Sequence, residues 1–234
     1  MRVFLTGDFH GQFYGLKEFC KDNKTTIDDL LICLGDVALN YNLDEHDDQR
    51  KKFLTKQPIT FLCIRGNHEE RPQYIDGMKF EWCPHIKQKC WHQDEYPNIW
   101  YINCDTFSLG DKKCLAISGA YSVDKEYRLM MGYNWFKDEQ PTENEKKYVR
   151  KLIKENNGKF DYIFSHTCPR EIEPTHLFLS GLDQSKIDKS TENFLQEVLN
   201  TTQFDYWGCG HFHSDEYLGK NVHMFYNCYK EIKI

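Results

Sequence analysis

Short apolar runs alternate with amphipathic stretches along the first part of the chain. Val3 to Thr6 reads as a strand. Gln12 to Lys24 has the helical period, with Phe13, Leu16 and Phe19/Cys20 on one face. Leu30 to Leu34 is a continuous apolar run that ends at Gly35, the pattern of a buried strand. Asp44 to Lys56 is polar and predicts a second helix. Ile59 to Ile64 predicts a third strand, ending at Gly66. A strand–helix–strand–helix–strand order favours a parallel sheet covered by helices.

Further along, Met78 to Asn98 mixes aromatic, Cys and His residues without a period and reads as an irregular insertion. Ile99 to Ile102, Thr106 to Leu109 and Cys114 to Ser118 predict short strands of a meander. Thr142 opens a helix with a capping box, because Glu145 stands three residues after the cap. That helix runs to about Glu155 and stops before Asn157-Gly158. Tyr162 to Phe164 predicts a strand leading into Ser165-His166. Ser190 to Asn200 predicts a helix and Phe204 to Trp207 a strand. Glu216 to Leu218 and Val222 to Tyr226 predict a hairpin around Gly219-Lys220-Asn221.

The 234 residues fit one domain, with no repeat, low-complexity segment or linker. A net charge of −6 gives no global field for nucleic acid, so a nucleic-acid partner is disfavoured. The ten cysteines are scattered, several lie in apolar runs, and no CxxC pair occurs. With no secretory signal pattern at MRVFLTGDFH and no run long enough to span a membrane, a reduced, cytoplasmic protein is expected.

Five short motifs stand where a predicted strand gives way to a loop: Gly7-Asp8-Phe9-His10-Gly11, Gly35-Asp36, Gly66-Asn67-His68-Glu69, His166, and Gly210-His211-Phe212-His213. In α/β sheets, ligands gather beyond the carboxyl ends of strands, so motifs distant in sequence can converge there. Asp, Asn and His oxygens and nitrogens suit a pair of divalent transition metals. Asp8 and His10 are two residues apart and point the same way on an extended chain, and His211 and His213 repeat that spacing. The Asp36 carboxylate can offer one oxygen to each of two ions. The Asn67 carbonyl oxygen limits the negative charge of the cluster.

Asp-x-His, Gly-Asp, Gly-Asn-His-Glu, a later His and Gly-His-x-His, in that order, resemble the signature of the calcineurin-like metallophosphoesterases. The resemblance spans Asp8 to His213. It implies two packed β-sheets flanked by helices, a four-layer α/β/β/α sandwich. It further implies that Asp8, His10 and His213 hold one metal, that Asp36 bridges, and that Asn67, His166 and His211 hold the second. His68 would face the substrate and protonate the leaving group, while a metal-bridging hydroxide attacks phosphorus in line. Two divalent ions are implied, with Mn²⁺ ahead of Fe or Zn. GDFHGQFYGL and IRGNHEE are similar to motifs of the phosphoprotein-phosphatase branch. That branch carries an Asp-Arg pair shortly after Gly-Asp, and here Asp36-Val37-Ala38-Leu39-Asn40 stands instead. The expected function is therefore hydrolysis of a phosphomonoester or phosphodiester, on a small phosphorylated compound such as a nucleotide. A serine/threonine protein phosphatase and a catalytically silent binding module of the same fold are the alternatives.

Other groups have plainer explanations. Arg71 and Arg128 are candidates to bind the phosphate charge. His176, in Pro174-Thr175-His176-Leu177, reads as a surface-loop residue rather than a rival to His166. Cys83, His85, Cys90 and His92 are zinc-ligand types, but their spacing matches no zinc pattern. Ser118 to Ser122 lacks a triad partner and reads as a strand-end turn. Tyr133, Trp135 and Phe136 read as core.

Overall fold

A computed structural model describes residues 1–234, and its first half follows the hydrophobic pattern closely. β1 (Val3–Thr6), β2 (Leu30–Cys33) and β3 (Thr60–Ile64) are buried at every position. They pair in parallel, β1 with β2 and β2 with β3. The crossovers are α1 (Leu16–Asp22) and α2 (Glu45–Thr55). α1 begins later than its periodicity predicts because Gly15, at φ 71°, takes a left-handed conformation that no α-helix can include.

Met78 to Asn98 is not irregular. β4 (Lys79–Cys83) and β5 (Gln88–His92) form an antiparallel hairpin there. The next three strands do not form one meander. β6 (Ile99–Ile102) lies parallel to β3, whereas β7 (Asp105–Leu109) and β8 (Lys112–Ile117) pair in a second sheet. The rest of the chain adds α3 (Lys125–Met131), α4 (Glu143–Glu155), β9 (Tyr162–Ser165) and α5 (Ser190–Thr201). It ends with β10 (Tyr206–Cys209), β11 (Glu216–Gly219), β12 (Val222–Met224) and β13 (Lys230–Ile232). β11 and β12 make the predicted antiparallel hairpin. The capping box of α4 is present, with the Thr142 hydroxyl accepting from the Glu145 N–H at 3.2 Å and the Glu145 carboxylate accepting from the Thr142 N–H at 2.8 Å.

Seven strands form one sheet, in the order β13-β1-β2-β3-β6-β5-β4, and six form the other, β11-β12-β10-β9-β8-β7. Alternation along each strand builds three cores. Val3, Leu5, Leu62 and Ile64 meet Phe107, Ala116 and Phe164 between the sheets. Phe4, Leu31 and Phe61 point the other way, against Leu16 of α1 and Leu54 of α2. Leu115, Ile163 and Trp207 pack under Val149 and Leu152 of α4 and Leu195 and Val198 of α5. The result is the four-layer α/β/β/α sandwich. No helix is long and apolar enough to cross a membrane.

All ten cysteines are free thiols, nine of them buried. Cys83 and Cys90 lie in the core between the sheets, and burial pushes the Cys83 thiol up to about 11. His85 turns instead to the Ile27 carbonyl at 3.0 Å, and the His92 ring stacks on Trp100 at 4.2 Å. The four zinc-type residues of the hairpin therefore do not converge. Of the aromatic trio, Phe136 is buried, whereas Tyr133 is exposed.

Candidate active site

All eight residues of the five motifs meet where the strand ends of the two sheets come together. Asp8 and His10 follow β1, Asp36 follows β2, Asn67 and His68 follow β3, His166 follows β9, and His211 and His213 follow β10. Asp8, His10 and His213 place ligand atoms within 4.8 Å of one another, and so do Asp8, Asp36 and His166. The His10 and His213 Nε2 atoms are 2.8 Å apart. His166 Nε2 is 2.8 Å from Asn67 Oδ1 and 3.5 Å from Asp36 Oδ2. His211 packs edge-on against His166, with ring centroids 5.0 Å apart.

Their backbone is held under strain. His10, Asp36, His211 and His213 all have positive φ, between 46° and 77°. Such conformations cost on the order of 1–3 kcal/mol each in non-glycine residues and persist only where surrounding structure enforces them. Here hydrogen bonds do so. The His10 N–H donates to the Asp36 carbonyl at 2.7 Å, the His68 N–H to Asp36 Oδ1 at 2.8 Å, and the His211 N–H to both Asp8 oxygens at 3.1 Å. Two glycines are required by close approach. A Cβ on Gly35 would collide with the His166 ring, and one on Gly66 with the Asp36 carboxylate.

The donor set fits cations on an independent test. The Asn67 amide donates to Ser122 Oγ at 2.9 Å, which fixes its carbonyl oxygen toward His166. His166 Nδ1 lies 2.8 Å from the Leu34 carbonyl, which only accepts, so Nδ1 carries a proton. The lone pair of His166 Nε2 then faces an oxygen, a contact that needs a proton or a metal ion between the two. His10 and His213 bring two imidazole nitrogens equally close, 2.8 Å apart. In the protein alone, burial opposes charge on His166, but Asp36 and Asp8 outweigh it and raise the imidazole to about 9. Burial works on Asp36 as well, yet His166 holds that carboxyl well below its usual range. His211 is driven the other way, well below the normal imidazole value, by burial and then by the His166 charge.

A family model described as calcineurin-like phosphoesterase matches residues 1–215. The chain belongs to the calcineurin-like phosphoesterase family. No curated protein matches it. Among solved structures it is similar to phosphopantetheinyl hydrolase from Mycobacterium tuberculosis, at 12% identity and a TM-score of 0.49, over 96% of this chain and 88% of that one. It is also similar to a protein of unknown function from Aquifex aeolicus, at 13% identity and a TM-score of 0.35, over 73% of this chain and 81% of that one. Calcineurin-like phosphoesterases typically use a dinuclear metal centre, and the two side-chain clusters around Asp8 are where such a centre fits.

His68 lines the cleft beside this cluster, its ring edge-on to His10 at 5.2 Å. Its Nε2 is 4.0 Å from Asp124 Oδ1, a residue that no sequence motif marks. Asp124 supplies a carboxylate near the imidazole where the Asp-Arg pair of the phosphoprotein-phosphatase branch is missing. Ser122 is a second residue without a motif. Its hydroxyl donates to Glu139 at 2.6 Å and accepts from Asn67 and from Arg128 at 3.0 Å, so it ties the Asn67 amide to a buried polar network. Glu69 plays a similar part, accepting from the Ala38 N–H at 2.9 Å and the Gly66 N–H at 3.3 Å and so linking the loops after β2 and β3.

The two arginines do not line the cleft. Arg71 is buried and its guanidinium is taken up by Asp138 at 2.6 Å and Glu145 at 2.5 Å, so it fastens the start of α4. Arg128 is buried behind the site, on Ser122 and the Asn134 carbonyl and 3.9 Å from Asp124. His176 is exposed, beside Glu216 at 3.4 Å, as a surface-loop histidine should be.

The cleft itself encloses about 450 Å³. His10, Asp36, Asn67, His68, His211 and His213 line part of it, and Leu177, Phe178, Leu179 and Leu182 of the segment before α5, with Phe212, line much of the rest. A second cleft of about 410 Å³, beside α2, holds none of the motif residues.

Proposed function

We propose that this chain hydrolyses small phosphate esters with two divalent metal ions. Asp8, His10 and His213 would hold one ion, Asn67, His166 and His211 the other, and Asp36 would bridge them. When bound, such a pair supplies an activated water and a positive clamp on the phosphate oxygens. The observation that carries this reading is the convergence of His166 Nε2 with Asn67 Oδ1 and of His10 Nε2 with His213 Nε2, each at 2.8 Å, around Asp8 and Asp36 at the meeting point of five strand ends. Nitrogen and oxygen atoms gathered this closely are the donor set that a pair of divalent cations takes.

The chain's own residues supply the rest. His68 faces the cleft without a motif role in the ligand set, so its imidazole is free to give a proton to the leaving oxygen. Burial lowers its pKa, the Arg128 charge adds to that, and the Asp36 and Asp124 carboxylates only partly offset it. The strained loops hold the ligands in place before substrate arrives, which lowers the reorganisation required during the reaction. A catalytically silent module draws no support from the site, where all eight residues proposed for metal binding and proton donation converge. Protein phosphatase activity draws none from the second motif or from the placement of the arginines.

Hydrolysis of p-nitrophenyl phosphate and bis-p-nitrophenyl phosphate tests the reading. Chelated protein should be inactive and should recover on addition of Mn²⁺, with Fe²⁺ and Zn²⁺ as comparators. Elemental analysis should find two ions per chain. Protein that binds no metal and turns over neither ester would overturn the proposal.

A further inference from the structure

Beyond the ligand cluster the cleft lining is mostly apolar, with Asp124, Gln184 and Lys189 as its polar members. Leu177, Phe178, Leu182 and Phe212 belong to its apolar part, with Phe178 stacked on Phe212 at a centroid distance of 5.9 Å. Leu177 and Leu182 stay exposed at the cleft surface, and Leu179 is more exposed still. Lys189 is the single Lys or Arg that lines the cleft. Its ammonium is held by Glu173 at 2.6 Å and lies over the Phe178 ring at 4.7 Å. Arg71 and Arg128 are committed elsewhere, so Lys189 is the one cation of the lining, and it is already engaged by Glu173, which also pairs with Arg170. A wall that offers mainly dispersion and dehydration, with its one ammonium already engaged, selects a matching ligand.

We propose that the organic part of the substrate is uncharged and apolar and lies against Leu177, Phe178, Leu182 and Phe212, so that the phosphate is the substrate's one anionic group. This rests on the hydrolytic reading of the same site. In the reaction, water's oxygen bonds to phosphorus, the ester P–O bond breaks, and the departing oxygen takes a proton. The products are an apolar alcohol and inorganic phosphate. A nucleoside polyphosphate, a nucleic acid or an acidic phosphopeptide would bring further negative charge to a wall that cannot neutralise it.

Ethyl, butyl and hexyl phosphate provide the test, with butane-1,4-diol bisphosphate and adenosine 5′-monophosphate as comparators, all on the metal-loaded protein. kcat/KM should rise about 3-fold per methylene, somewhat below the full value for burying a CH₂ group. The bisphosphate and the nucleotide should be at least ~10-fold poorer than hexyl phosphate. Binding of the matching alkylphosphonates, which cannot be hydrolysed, should tighten along the same series in calorimetry. The Leu177→Ser/Leu182→Ser variant changes exposed positions, so it should fold and keep its metal content while the chain-length dependence flattens. Turnover that ignores chain length, or prefers the bisphosphate, would overturn the inference and leave hydrolysis standing. Phosphonate affinity that grows with chain length in a protein that cleaves none of the esters would do the reverse, keeping the apolar wall and removing hydrolysis.

Discussion

The two sides of the cleft are built by different means. The ligand side rests on strand ends from both sheets, with buried hydrogen bonds fixing Asp8, Asp36, Asn67 and His166. The apolar side hangs on the stretch between β9 and α5, whose turns Arg170–Ile172, Thr175–Leu177 and Gln184–Lys186 are single 3₁₀ turns. One side has almost no freedom to vary without loss of the cluster. The other shows exposed side chains at the cleft surface, where substitution costs little stability. On the proposed reading, the rigid side would set the chemistry and the permissive one the choice of substrate.

That contrast can be broken at graded strength. The largest effect should come from Asp36→Asn, which removes the charge proposed to bridge the ions while leaving an oxygen to accept from the His68 N–H. Turnover should fall at least ~1,000-fold and metal content should drop. Normal values of both would remove Asp36 from the bridging role. Arg71→Ala should destabilise by about 3 kcal/mol, because it strands Glu145 and Asp138 beside a buried gap. Denaturant midpoints check this, and a fold-neutral variant with raised KM would return Arg71 to the cleft. His68→Ala should keep both metals and slow turnover ~100-fold, the scale of a lost general acid. Loss of a metal would place His68 among the ligands instead. Cys83→Ser/Cys90→Ser should cost about 2 kcal/mol in thermal unfolding by burying two hydroxyls between the sheets, with metal stoichiometry unaltered. Leu179→Ser, on the permissive side, should change stability by no more than about 0.5 kcal/mol and leave metal content alone. A large loss there would show that the apolar wall supports the fold.

The sequence made the ligand side legible because its constraints are local. Gly35 and Gly66 mark the places where backbone passes against His166 and Asp36, and each adjoins the apolar run of a buried strand. The capping box of α4 is equally local. What escaped depends on contacts that no window of the chain contains. The β4–β5 hairpin forms the edge of its sheet, so Phe80 and Trp82 are exposed and the usual inward–outward period is lost. α3 buries only Arg128 and so carries no apolar stripe, although Gly132, at φ 70°, is a recognisable helix stop. β13 is three residues long, too short to signal itself, and it exists because β1 offers it an edge. Asp124 and Ser122 reach the site only through the packing of the loop after β8. Arg71 is a sequence candidate for the phosphate charge, but its partners come from α4 and the loop before it, contacts that sequence position does not show.

The pairing of His10 with His213 joins residues 203 positions apart. Contacts of such long range form late, since most of the intervening chain must be ordered before the loop between them can close. During synthesis, Asp8, His10, Asp36 and Asn67 emerge long before the β10 loop that completes the cluster. Until the second sheet is in place, no imidazole from it stands beside Asp8 and Asp36. A metal pair held as proposed would therefore be completed only when the two sheets dock, and a loaded centre would double as a record that folding has finished.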